Sequence, residues 1–445
     1  MLEHSGRMAA QSMRWISTAR MLRRAGFGVT GTEVDAAAAG DWPAYVDAML
    51  AADPDADPGA VATPMPVMEA PRRPGKGATV AARKQFNQQL SEQQDVLSDW
   101  WLRRMVSVAQ PAHEKLTLLW HNHFATSAQK VRAAAYMAAQ NQKLRTLSLG
   151  DFRTLAYTML TDAAMLRWLD GQSNTARAPN ENLAREFMEL FALGHGNGYT
   201  EDDVRAGARA LTGWVIGDDG RTALVPRRHD GSAKTLFGQS RNFDAAGFCD
   251  AVLAQPKSAQ YVAGRLWQQL ASDDPPSQPA LDRLVSAYGP GRDLRALTRA
   301  ILTDDEFTGA RATTVNTPVE WLVGVMRAMR VPVNQPAPRK IADATLRALG
   351  QRPFYPPSVG GWPHGPVWLS TASAEARLQA ASRLAQVGDL SGVESAAPGD
   401  RIDAAGYLIG IGAWSDRSAN ALKPLIRTPS QLVAAAVNTP EYLTS

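Results

Sequence analysis

Cysteine is nearly absent: Cys249 is the single one in 445 residues. One thiol excludes an intrachain disulfide and a thiolate zinc cage. Its setting, AAGFCDAVLAQ, predicts a small buried side chain on a helix. Long apolar runs are missing too. The best candidate, AAGYLIGIGAW at 404–414, falls far short of the roughly 20 residues that span a bilayer. It also carries glycines, so no membrane span is expected. Lysine is scarce, and no basic run exceeds RR or RRP. The net charge is only +4, although the pI reaches 9.2. Arginines alternate with acids, as in ENLAREFMEL. The clustered basic stripe of a nucleic-acid binder is absent, so no nucleic-acid partner is expected. The opening MLEHSGRMAAQSMRWISTARMLRRAGFG has neither the apolar segment nor the cleavage site of a secretory signal. These absences favour a soluble, cytoplasmic protein.

What is abundant is alanine and leucine at helical spacing. The pattern predicts a mainly α protein, a single large multi-helix domain over residues 1–445, with helices at 16–24, 79–108, 129–147, 180–193, 201–212 and 317–330 among others. Around 214–238 the pattern breaks into short β-prone pieces about GDDG, which predicts a small β-hairpin or irregular excursion. The stretch 53–76 is dense in proline and reads as a loop or flexible insertion without regular structure. QRPFYPPSVGGWPHGPVW, 351–368, reads as an ordered aromatic loop.

Histidine is also rare, with seven in the chain, yet TLLWHNHFATS places His121 and His123 two apart. On a helix such residues point about 200° from each other, whereas on extended chain they share a face. One metal could take both only if the helix ends at or before Trp120. Otherwise the imidazoles, with Asn122, would hydrogen-bond the free carbonyls of a helix end. Further on, Asn182, Glu186, Glu189 and Leu193 fall on one helical strip beside an apolar arc of Leu183, Phe187, Leu190 and Phe191. Two carboxylates three apart can bind a cation or divide acid and base roles, or simply be solvated. His229, next to Asp230, is a candidate third ligand if the excursion folds back on the core. Imidazole and carboxylate ligands would suit a divalent transition metal such as zinc, iron, manganese or copper. GHGNGYTEDD imitates a phosphate loop, but Thr200 is a natural N-cap and Glu201, Asp202 and Asp203 fill the first turn, which would repel an anion. His195 in that turn reads as incidental. Tyr355, Trp362 and Trp368 could line a substrate pocket for a sugar or an aromatic compound, or plug a bundle end.

Six segments, in order, resemble a bacterial family known only as domain of unknown function 1800. They are ARMLRRAGFGVTGTEVDA, LTLLWHNHFATS, NENLAREFMELFALGHGNGYTEDDVRAGARALTGW, HDGSAKTLFG, NTPVEWLVGVMRAM and LGQRPFYPPSVGGWPHGPVW. The resemblance implies a fold and no established activity. It also implies relatives that are often exported and often encoded beside a sulfatase-like family. Two functions therefore stay open. One is a metal-dependent enzyme, with His121, His123 and His229 as ligands and Glu186 or Glu189 as ligand or general base. The other is a non-catalytic helical scaffold or binding partner of a sulfatase-like protein.

Overall fold

Short polar side chains start most of the helices. Ser12, Thr30, Asp41, Asp57 and Thr79 each accept a hydrogen bond from a backbone N–H in the turn they open, which satisfies donors that have no partner within the helix. A computed structural model describes residues 11–69, 74–309 and 314–444. Among these residues, 25 α-helices accompany two small antiparallel sheets. Trp214–Ile216 pairs with Thr222–Leu224, and Lys234–Leu236 with Gln239–Arg241. The fold is mainly α, with its β excursion where the pattern broke. No helix among the described residues is long and apolar enough to cross a membrane.

Three expectations change in detail. The stretch 53–76 contains a short helix, Pro58–Ala62, because proline is tolerated at a first helical position. Asp57 ties it down, accepting from the amides of Gly59, Ala109 and Gln110 at 2.8, 3.0 and 2.8 Å. The helix expected over 129–147 divides into Ala128–Val131 and Ala134–Leu147, since Arg132 adopts a left-handed φ of 61°. The helix expected over 180–193 begins at Asn182 and widens after Glu186 into a π-helix, Phe187–Ala192.

Two large hydrophobic cores form among the described residues. One gathers Trp120, Phe124, Phe152, Phe187, Phe191, Phe248 and Trp267. The other gathers Phe27, Trp100, Trp101, Trp321, Phe354 and Tyr442. The helix Ala112–His123, called the central helix below, lies between them: Leu116, Leu119 and Trp120 enter the first core and Leu118 the second. Every residue of it except Asn122 is buried. It nevertheless carries His113, Glu114, Lys115, Thr117, His121 and His123, and buried polar groups need partners. Glu114 has four: Trp101 Nε1 at 2.9 Å, Arg104 Nε at 2.6 Å, and Arg145 Nε and Nη2 at 2.7 and 2.9 Å. Burial opposes its charge, but Arg145 and Arg104 outweigh burial and hold the carboxyl at about 2. Cys249 is fully buried, and burial pushes its thiol up to about 12, as an inert packing residue should be.

Candidate functional site

The central helix does not end at Trp120. It continues to His123, and the amide of Phe124 still donates to the carbonyl of Trp120 at 2.9 Å. Water is excluded here, so keeping that pairing is cheaper than breaking it. His121 and His123 therefore face different ways. His121 lies among Trp101, Phe354 and Trp362, with ring centroids 5.4, 5.4 and 5.6 Å away. His123 lies among Trp120, Phe124, Phe152 and Phe191. Burial alone lowers His121 to about 3; burial, helped by Arg265, does the same to His123. Both rings are neutral at neutral pH.

His123 Nε2 lies 2.9 Å from the carbonyl oxygen of Phe191. A carbonyl only accepts, so Nε2 carries the proton and Nδ1 is the unprotonated nitrogen. The acceptor belongs to the π-helix. There the amide of Leu193 donates to Met188, five residues back, and the neighbouring carbonyl of Leu190 takes the phenol of Tyr261 at 2.6 Å. Two side chains from other helices thus cap the end of this wide turn. His123 is a helix-end cap, as one sequence reading held, but of a different helix.

His229 is separate from this pair. Its Nδ1 lies 2.9 Å from the carbonyl of Thr212. Asp230 beside it pairs with Arg209 at 2.7 Å, and that hydrogen bond holds the carboxyl well below its usual range. Lys234, buried, donates to the carbonyls of Asp230 and Ser232 and to Asn242 Oδ1. The excursion is thus held both by bonds among its own residues and by bonds to Arg209 and Thr212. Among the described residues, no three His, Cys, Asp or Glu side chains come together to hold a metal. His121, His123 and His229 do not share a point.

Glu186 and Glu189 are half-buried. Burial raises the Glu186 carboxyl, and Glu189 raises it further. Glu189 has a partner that sequence reasoning set aside: His195 Nδ1, 2.7 Å from Oε1. Tyr199 OH stands 3.5 Å from the other oxygen. Gly194, at φ +88°, turns the chain so that an imidazole six residues on returns to the carboxylate. A carboxylate–imidazole pair can pass a proton at the surface.

The aromatic loop closes on itself. Trp362 and Trp368 are buried with Val315, and the indole of Trp368 donates to the carbonyl of Pro363 at 3.0 Å. Tyr355 lies under the Arg352 guanidinium, 4.4 Å from its ring centroid. Gly361, at φ +82°, lets the loop touch Asn122: an added Cβ would sit 2.3 Å from Asn122 Oδ1. That oxygen accepts from the amide of Trp362 at 2.7 Å.

Two openings were not legible in the sequence. At the junction of the central helix, the aromatic loop and helices Met13–Ala25, Pro256–Leu270 and Pro318–Ala328 lies a cavity of about 50 Å³, lined by Arg24, Lys115, Asn122, Gln269, Glu320 and His364 among others. On another face a cleft of about 1010 Å³ opens between the amino-terminal helices and residues 389–423, with Trp15, Tyr407 and Trp414 in its wall. Tyr407 OH, in its wall, donates to Asp35 Oδ2 at 2.6 Å.

These features describe a mainly helical protein whose paired histidines, His121 and His123, are folded inward. The family model for protein of unknown function DUF1800 matches residues 20–444. The chain belongs to that family. No curated protein and no solved structure matches it.

Proposed function

We propose that this chain is a non-catalytic helical binding protein whose ligand lies in the cleft beside Tyr407. The observation that carries this reading is the cleft itself. Its volume of about 1010 Å³ is at the upper end of the range that takes small ligands, and is enough for a peptide segment. Indole and phenol rings from Trp15, Tyr407 and Trp414 stand with Ile402, Leu408 and Ile411. Asp389 is 3.7 Å from Arg330, whereas Asp400 and Asp403 have no ion-pair partner among the described residues. Burial raises the Asp403 carboxyl, and Asp400 adds to this. Unneutralised carboxylates beside aromatic faces favour a cation with apolar bulk. A lysine- or arginine-bearing segment of a partner protein fits that chemistry, and the family resemblance makes a sulfatase-like protein the first partner to examine.

The test is titration of a fluorescent basic amphipathic peptide against the full chain, with an acidic peptide of equal length as control. The basic peptide should bind, and Asp400→Asn with Asp403→Asn should weaken it about tenfold, the size of one lost charge-assisted contact. Equal binding of the acidic peptide, or no change in the variant, would refute the reading.

A second reading, acid–base chemistry, rests on the 2.7 Å contact between Glu189 and His195. Its metal-dependent form predicts stoichiometric metal in purified protein, lost in His195→Ala. Elemental analysis decides it.

A further inference from the structure

We propose that the junction cavity is a binding site for a small monoanion, of chloride or acetate size, held by Arg24 and Gln269. Arg24 is 2 % exposed. Its Nε donates to the carbonyl of Leu270 and its Nη2 to that of Gln269, both at 3.1 Å, while Nη1 has no protein partner. Gln269 receives a long bond of 3.4 Å from Asn122 at Oε1, and its Nε2 also has no protein partner. Lys115 Nζ engages Glu320 alone. All three residues line the cavity.

Each acceptor around them already has a donor. Glu320 takes Lys115 on one oxygen and the amide of Thr317 on the other, the latter at 2.7 Å. Asp273 takes His364 at 3.3 Å and the amide of Val315 at 3.2 Å. Gln351 Oε1 takes the amide of Val319 at 2.8 Å. Open capacity is therefore on the donor side, and buried donors call for an acceptor.

Size and charge then choose the guest. About 50 Å³ holds one or two groups of water size, each needing roughly 30 Å³. Two cations, Arg24 and Lys115, face two carboxylates, Glu320 and Asp273, so the surroundings are formally balanced. One negative charge added there is tolerable beside two desolvated cations, whereas a dianion would be costly. Burial already lowers both cations, Lys115 to about 8, so an anion would relieve them. The mouth lies at Pro363 and His364, which are exposed, so a small solute can enter.

The test is line broadening of chloride and acetate resonances by the full chain, with acetamide as the neutral control. Chloride or acetate should broaden and acetamide should not. Gln269→Glu removes one open donor and adds a negative charge on an element that stays helical; it should weaken the broadening at least tenfold. Asp219→Asn, exposed in the turn between the first two strands, should leave it unchanged. Broadening by acetate and not by chloride narrows the guest to a carboxylate. No broadening in the parent chain, which means that water alone fills the space, would overturn the proposal. So would equal broadening in Gln269→Glu. Arg24→Met, in a chain that folds, should abolish the broadening; broadening that persists in it would likewise overturn the proposal.

Discussion

Glu114 and Lys115 are neighbours on one buried helix, and they face two different kinds of charge centre. Around Glu114 every valence is used: an indole and two guanidiniums converge on its two oxygens. Around Lys115 the single carboxylate of Glu320 is satisfied, but an arginine and a glutamine keep donors without protein partners. A saturated centre of this kind holds helices in register and has no capacity left for a guest. An unsaturated one beside a cavity has that capacity. The difference separates architecture from binding more sharply than burial does, because both centres are buried.

The comparison is most easily broken at Glu114. Glu114→Gln leaves Arg145 buried without its counter-charge and Arg104 with only Asp55, at 3.3 Å, and should cost about 3–5 kcal/mol in chemical denaturation. If the two cores are one folding unit, as the central helix shared by both suggests, the loss should be seen in a single transition; two transitions would show that they unfold separately. Lys115→Met should cost less, about 1–3 kcal/mol, since Arg24 remains to face Glu320. An equal loss at both positions would erase the distinction drawn here.

Acid should act next. His121 and His123 sit near 3 in the folded chain and near 6.5 when unfolded. The unfolded chain therefore binds protons first as pH falls, and stability should drop between about 6.5 and 3, by up to about 1.4 kcal/mol per pH unit for each ring. Glu114, held at about 2, adds to the loss below its unfolded value. His121→Phe should flatten the upper part of this curve by one proton in a thermal-midpoint series against pH. An unchanged slope would mean that the ring is not buried neutral. The smallest effect belongs to the surface pair: Glu189→Gln or His195→Ala should shift stability by less than about 1 kcal/mol. A larger shift would make that pair part of the frame.

Helices and their caps were legible because local signals set them. Thr200 is the expected N-cap, in a capping box with Asp203, and Gly194, just after Leu193, takes a left-handed turn. The divergence of His121 and His123 was legible as an alternative, because helix geometry offers only two outcomes. What the sequence concealed is long-range. Arg24 meets the Gln269 carbonyl across 245 positions, and no periodicity announces such a meeting. His195 was hidden for another reason: a glycine turn, not a helical spacing, carries it back to Glu189. The π-helix was hidden because Phe187–Ala192 has the same apolar pattern as an ordinary helix.

That wide turn has a consequence for chain length. A π turn takes up one more residue per hydrogen-bonded ring than an α turn. Deleting a residue between 187 and 192 would let ordinary pairing resume, yet would swing everything after it by about 100°. The Leu190 and Phe191 carbonyls would then turn away from the phenol and imidazole that now hold them. Tyr261 and His123 thus act as a gauge, accepting one spacing of this segment and rejecting the next shorter one.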